Sequence, residues 1–213
     1  MTVAGPPEPH FSDPVLVGLD DAIRATGVPV LRSALESADL PGPSKRTSGP
    51  TSKPRRAEVV LVLPRPSGVL LHTKRFYPRD VYRLPTGGVH AGEPVLEAVG
   101  REVAEETGLS LAPTRFLFHI AHVPESDEHP VFHSLGFLLP GSDDLVAPVD
   151  DEEEISDFRV IPWSALDGVA TQLASLGPPW KRWGRFRSLS HSLLADLWRS
   201  ERAAFEYDSV DSR

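Results

Sequence analysis

The sequence predicts an α/β or α+β layered domain, strands mixed with a few helices, preceded by a helical N-terminal extension. Three observations carry this: two dense apolar runs at 57 to 63 and 69 to 73, an amphipathic segment at 94 to 107, and a longer amphipathic segment near the C-terminus bearing Leu189, Leu193, Leu194, Leu197 and Trp198. The chain of 213 residues, 40% hydrophobic and 24% charged, has the composition of a globular protein and the length of one ordinary domain plus a tail.

In order along the chain, residues 13 to 38 read as two short helices. Asp13 caps the first with Pro14 behind it, Val15, Leu16, Leu19, Ala22 and Ile23 supply its apolar positions, and Gly27 ends it. Pro29 starts the second, with Val30, Leu31, Ala34, Leu35 and Ala38 as its stripe. The preferred reading docks this extension, residues 1 to 40, on its own domain; a lid or a homodimer arm is the other. Residues 41 to 56, PGPSKRTSGPTSKPRR, are rich in Pro, Ser and Gly with five basic residues and no acidic one, and are expected to form a flexible basic linker.

The domain itself is expected over 57 to 205, with 206 to 213 as a C-terminal tail. Ala57 to Leu63 and Val69 to Thr73 flank the turn Pro64-Arg65-Pro66-Ser67-Gly68 and suggest a hairpin. Phe116 to Val123 and Val131 to Leu139 read as strands joined across a polar turn, and Phe158 to Ile161 as another. Ser164 is placed as the cap of a helix running through Leu173, and the long amphipathic helix closes the domain.

Composition narrows the function. There is no cysteine, so thiol nucleophiles, thiolate zinc sites and disulfides are excluded. The opening MTVAGPPEPHFSD has no basic start and no long apolar stretch, and no later window approaches the ~18 consecutive apolar residues of a membrane span, so a cytoplasmic protein without membrane partners is expected. A net charge of −8 argues against stable nucleic-acid binding, which needs clustered cations. If the ligand is a polyphosphate, a metal ion must offset the acidity.

The chemistry concentrates in residues 84 to 109, LPTGGVHAGEPVLEAVGREVAEETGL, where a Gly-rich loop passes at Pro94 into a helix that ends near Gly108. Gly87, Gly88 and Gly92 allow close backbone approach, while Glu102, Glu105 and Glu106 share one helical face at i, i+3 and i+4. Leu96, Val99 and Val103 recur at i, i+3 and i+7, which predicts an apolar face on the sheet with the glutamates in a cleft. Like charges at such spacing destabilise a helix unless a cation compensates, and Mg²⁺ or Mn²⁺, hard ions that seek oxygen, are suited to the task.

Gly87, five residues, Glu93, seven residues, then Arg101-Glu102-Val103-Ala104-Glu105-Glu106-Thr107-Gly108-Leu109 resembles the box of the Nudix hydrolase family at every defining position. The resemblance implies a Nudix-type α/β/α sandwich with a mixed sheet, and hydrolysis of a nucleoside diphosphate linked to another moiety: ADP-ribose-like compounds, dinucleoside polyphosphates, nucleotide sugars or NTPs. It further implies Glu102, Glu105 and Glu106 as metal ligands, with the carbonyl of Thr86 an extra one, and Glu93 and Arg101 as a structural ion pair beside the structural glycines Gly87 and Gly108. The general base in the family is either a helix glutamate or one from a distant loop, so Glu102 stands against Asp151, Glu152, Glu153 and Glu154, with the later group slightly favoured. A metal would neutralise phosphate charge and help deprotonate the attacking water.

Substrate clues lie before the box, where Lys74, Arg75, Arg79 and Arg83 alternate with Phe76, Tyr77 and Tyr82. Arg75, Arg83 and Tyr82 are the preferred substrate-binding candidates, through phosphate clamping and base stacking. Pro124, 15 residues beyond Leu109, resembles a marker of the ADP-ribose-cleaving branch. The segment 180 to 191, WKRWGRFRSLSH, reads chiefly as helix packing with exposed Arg, and His119, His122, His129 and His133 as sheet or turn residues without a zinc-type pattern. The alternative function is a catalytically silent Nudix-like regulator that binds a nucleotide; loss of box carboxylates would favour it, and none is lost.

Overall fold

A computed structural model describes residues 16–35, 56–123, 132–149 and 153–205. The linker at 41 to 55, the tail at 206 to 213, Asp13, Pro124, His129, Asp151 and Glu152 lie outside the described residues. The elements are α1 (Leu19–Thr26), β1 (Val30–Leu35), β2 (Ala57–Val62), β3 (Pro64–Arg65), β4 (Gly68–Lys74), β5 (Thr86–Gly88), α2 (Val95–Thr107), β6 (Arg115–Val123), β7 (Phe132–Leu138), β8 (Ile155–Ile161), α3 (Leu166–Ala174) and α4 (Lys181–Ser200).

Two sheets form. The larger runs β1-β6-β7-β2-β5 and is mixed: β1 lies parallel to β6 and β7 parallel to β2, while β6–β7 and β2–β5 are antiparallel. The smaller, β3-β4-β8, is antiparallel. Alternation along β2 sends Val59 and Leu61 into one core with Val95, Val99 and Val103 of α2, and Val60 and Val62 into another with Leu193, Leu194 and Leu197 of α4. Helices thus cover both faces, which is the α/β/α layering expected.

Three local expectations are corrected. The second N-terminal helix is a strand: Val30 to Leu35 lies along Phe118 to Val123, in register from Val30↔Phe118 to Leu35↔Val123. A short helix is marginal by itself, whereas the open edge of β6 offers partners to the backbone groups of alternate residues of the segment, and Pro29 biases Val28 towards extended backbone. The apolar runs at 57 to 63 and 69 to 73 do not pair with each other along their length. The chain changes sheets after Leu63, so the hairpin is the short β3–β4 pairing of Pro64 with Val69 and Arg65 with Gly68. Finally, Ser164 is not the cap of α3; it sits within a single 3₁₀ turn, Trp163–Ala165, and α3 begins at Leu166 with no side-chain cap.

α1 docks on α2. Leu16, Leu19 and Ala22 belong to the α2-side core, and the Val95 N–H donates to the Val17 carbonyl at 2.9 Å. Together with β1 in the main sheet, this makes the described part of the N-terminal segment integral to the layered domain.

Candidate active site

β2 and β5 hold the glycine loop by pairing Val59 with Gly87 and Val60 with Thr86. A Cβ on Gly87 would stand 1.6 Å from the Glu102 carboxyl carbon, so glycine is required because that carboxylate rests directly on the backbone. α2 ends at Gly108, whose φ of 74° is the left-handed cap that favours glycine.

The helix departs from the expected division of faces. Val95, Ala98, Val99, Glu102, Val103, Glu106 and Thr107 are all buried, so the glutamates continue the apolar stripe rather than oppose it. Glu106 is fully buried, Glu102 is 4% exposed, and Glu105 is the partly exposed member.

Arg101 organises one end of the cluster. Its Nε donates to Glu93 Oε1 at 2.7 Å, its two terminal nitrogens donate to Glu93 Oε2, Glu102 Oε1, Glu105 Oε2 and the Gly88 carbonyl at 2.7–3.0 Å, and the His90 N–H also donates to Glu93. Burial works to raise the Glu93 pKa, but the Arg101 and His90 bonds outweigh it and the net shift is downward. The Glu93–Arg101 ion pair and the Arg101 bond to the Gly88 carbonyl clamp the glycine loop to α2.

Glu106 has different company. Neither of its oxygens has a hydrogen-bond partner; Lys74 Nζ lies 3.4 Å from Oε1 and His72 Nδ1 3.9 Å from Oε2. Burial pushes its pKa up to about 7, against which Lys74 and Arg83 pull down, while Glu102 and Glu153 add to the rise. Glu102 is likewise raised, first by burial. His72 is driven well below the usual imidazole value by burial and by the positive charges of Arg83, Lys74 and Arg187, so it stays neutral.

Of the loop acids, Glu153 comes to the cluster, accepting from Lys74 Nζ at 2.5 Å. Glu154 has an exposed side chain and a φ of 54°, and its carbonyl accepts from the Arg75 N–H at 2.9 Å. Thr86 is buried, its hydroxyl accepting from Arg83 at 2.9 Å.

The three substrate candidates are placed differently. Arg75 is exposed at the turn after β4. Arg83 is 3% exposed, donating to the Tyr77 hydroxyl, the Leu84 carbonyl and Thr86. Tyr82 donates to Asp157 and lies under the Arg159 guanidinium, 3.9 Å from the ring centroid. Sequence-distant aromatics also meet here: the rings of Phe76, 52% exposed, and Trp180 lie 6.4 Å apart and 21° from parallel, with Tyr77 and Trp183 edge-on or tilted beside them. His119 and His133 bond each other at 2.9 Å and His122 bonds Ser134 at 3.1 Å, all inside the sheet.

His72 escaped the sequence reading, although a signal existed: Leu70, His72 and Lys74 alternate along β4, and Leu70 is in the α2-side core, so polar residues two and four further on must face α2 as well. Among the described residues no three His, Asp or Glu side chains converge on a single point, because Glu102 and Glu105 turn to Arg101. The donor set nevertheless fits a hard divalent ion: it is all oxygen, and both oxygens of buried Glu106 are without a hydrogen bond, faced by Lys74 at 3.4 Å and His72 at 3.9 Å.

The glycine loop, the box helix and the clamp between them all fall within residues 53–184, which the NUDIX domain model matches: the chain belongs to the Nudix family. Among curated proteins, an ADP-ribose pyrophosphatase of Methanocaldococcus jannaschii is 31% identical over 109 residues, which are 50% of this chain and 64% of that protein, so the match spans just under two thirds of the relative. Similar solved structures include an Ap4A hydrolase of C. elegans (20% identity, TM-score 0.46, covering 70% of this chain and 99% of that one). Another is a MutT protein of Methanosarcina mazei (18% identity, TM-score 0.42, covering 66% and 96%).

Proposed function

We propose that this protein is a metal-dependent pyrophosphohydrolase that cleaves the diphosphate linkage of a nucleoside diphosphate joined to a second moiety, with ADP-ribose-like compounds the first to test. The observation that carries the reading is Glu106: a fully buried carboxylate without a hydrogen-bond partner, beside Glu102 on the buried face of the box helix. Lys74, 3.4 Å away, offsets part of the cost of burying it, and a cation that takes its oxygens as ligands would offset the rest.

Glu102, Glu105 and Glu106, with the Thr86 carbonyl, would hold Mg²⁺ or Mn²⁺. A divalent ion so held neutralises phosphate charge and makes a neighbouring water more acidic. Around it the chain's own groups divide the work. Arg101 and Glu93 keep the glycine loop against α2, so that backbone approaches the diphosphate closely. Glu153 takes the proton of the attacking water; its charge is felt at both Glu102 and Glu106, which favours it over Glu154 with its exposed side chain. Glu102 remains the alternative base. Arg75, at the exposed turn, meets phosphate, and the Phe76–Trp180 pair supports a substrate with a planar ring. The ADP-ribose preference is supported by the name of the archaeal relative.

Incubation of the purified protein with Mg²⁺ or Mn²⁺ and ADP-ribose, dinucleoside polyphosphates, nucleotide sugars and NTPs, with product identification, tests this. Release of a nucleoside phosphate together with the phosphorylated second moiety, or with pyrophosphate from an NTP, is expected for at least one. Inactivity across the panel, or release of inorganic phosphate alone, would refute it.

A further inference from the structure

Lys74 lies on no box position, yet two distant parts of the site touch through it. Its ammonium, in a side chain only 9% exposed, reaches Glu153 Oε2 at 2.5 Å and Glu106 Oε1 at 3.4 Å. Glu106 belongs to α2, which is packed in the core; Glu153 belongs to the short segment that leads into β8. That segment is fastened to the same point by backbone, since the Arg75 N–H donates to the Glu154 carbonyl and the β4–β8 register shifts between Thr73 and Lys74. The irregularity re-aims the strand end, and the ammonium then bridges from one carboxylate to the other. A compact ammonium with three donors can serve two carboxylates at an angle, which the flat fork of Arg does less well in a buried space.

We propose that Lys74 is a positioning residue of the water-activating step: shared between Glu106 and Glu153, it ties the segment at 153 and 154 to the α2 carboxylates and so holds the Glu153 carboxylate where it takes the proton. The inference rests on the hydrolase reading and on Glu153 as base. A displaced base costs rate rather than affinity, because a shift of about 1 Å in a reacting group can cost ~100-fold in turnover.

The test uses the full chain as Lys74→Met, Lys74→Arg, Glu153→Gln and the Lys74→Met/Glu153→Gln double variant. Turnover is measured with whichever panel substrate the wild type cleaves, Mn²⁺ binding by electron paramagnetic resonance, and amide hydrogen exchange over residues 153 to 157. Lys74→Met should lower kcat by roughly 10- to 100-fold with KM within about threefold, and bind Mn²⁺ no more weakly than the wild type. It should also speed exchange of the 153–157 segment about tenfold. The double variant should be no slower than the slower single variant, since both remove one function, and Lys74→Arg should recover part of the loss.

Full turnover in Lys74→Met, losses that multiply in the double variant, or weakened Mn²⁺ binding that accounts for the loss would overturn the inference while leaving the hydrolase reading intact. If the wild type cleaves nothing in the panel, the hydrolase reading falls and with it the role at water; unchanged exchange would then remove the anchoring role too. Should Lys74→Met fail to fold, Lys74→Gln carries the same comparison.

Discussion

Glu106 carries a pKa of about 7 against an ordinary carboxylate value of 4.5, chiefly through burial. A carboxylate raised on folding binds its proton more tightly in the native state, so between pH 4.5 and 7 this group holds more proton in the native state than in the unfolded chain, and its contribution to stability falls as pH rises. Buried His72, His119 and His191, held below the ordinary imidazole value, work the other way up to about pH 6.5 in wild type and variant alike. In metal-free buffer, then, urea unfolding from pH 5 to pH 8 should show the wild type losing stability relative to Glu106→Gln, by at most roughly 3 kcal/mol. Identical pH dependence in the two would place the effect elsewhere. At Gly87 the prediction is steric. The Cβ of Gly87→Ala would fall on the Glu102 carboxylate, so activity should drop at least about tenfold as Glu102 is pushed aside. Circular dichroism should show the fold retained.

α2 behaves as a unit clamped at its middle by Arg101, whose guanidinium meets Glu93, Glu102, Glu105 and the Gly88 carbonyl. Arg101→Ala removes these bonds and leaves Glu102 and Glu105 as unscreened neighbours. Because Arg101 is partly exposed, solvent moderates the loss to about 1–3 kcal/mol, seen by calorimetry as a fall of several degrees in melting temperature. Unchanged melting would make the clamp irrelevant to stability. This helix, its glycine cap and its acidic residues were legible in the sequence because a 3.6-residue period and a fixed spacing are local signals. What the sequence reading missed was that the glutamate face and the apolar face are not separate: Glu102 and Glu106 continue the buried stripe, and tertiary packing of Glu106 against His72 and Lys74 reveals it. The strand Val30–Leu35 was illegible for the converse reason. Its Ala and Leu residues fit a helix, and the edge of β6 that captures it is some ninety residues away in sequence. The hairpin misreading has the same origin, since a change of sheet after Leu63 leaves no local trace.

At the scale of the whole molecule, the N-terminal segment completes the domain. β1 covers the edge of β6, and α1 places Leu16, Leu19 and Ala22 in the α2-side core, where Val17 also binds the first turn of α2. A chain beginning at residue 41 should therefore aggregate or melt well below the full-length protein in a thermal scan, rather than behave as a trimmed but intact domain; equal melting of the two would contradict this placement. Of the groups outside the box, Arg75 and Phe76 follow β4, Glu153 precedes β8 and Trp180 leads into α4, so all four lie on connecting segments. The family follows from the box and the layering. On the proposed reading the choice of substrate falls to those segments, which no local pattern encodes. No helix among the described residues is long and apolar enough to cross a membrane. The central claim, a carboxylate-held divalent ion cleaving a diphosphate linkage, is tested most directly by comparing product formation by the wild type and Glu106→Gln over the nucleotide panel at saturating Mg²⁺ or Mn²⁺. Cleavage between phosphorus atoms by the wild type, falling roughly 100-fold or more in the variant, is the predicted result; a variant that retains full turnover, or a wild type that cleaves nothing, would contradict it.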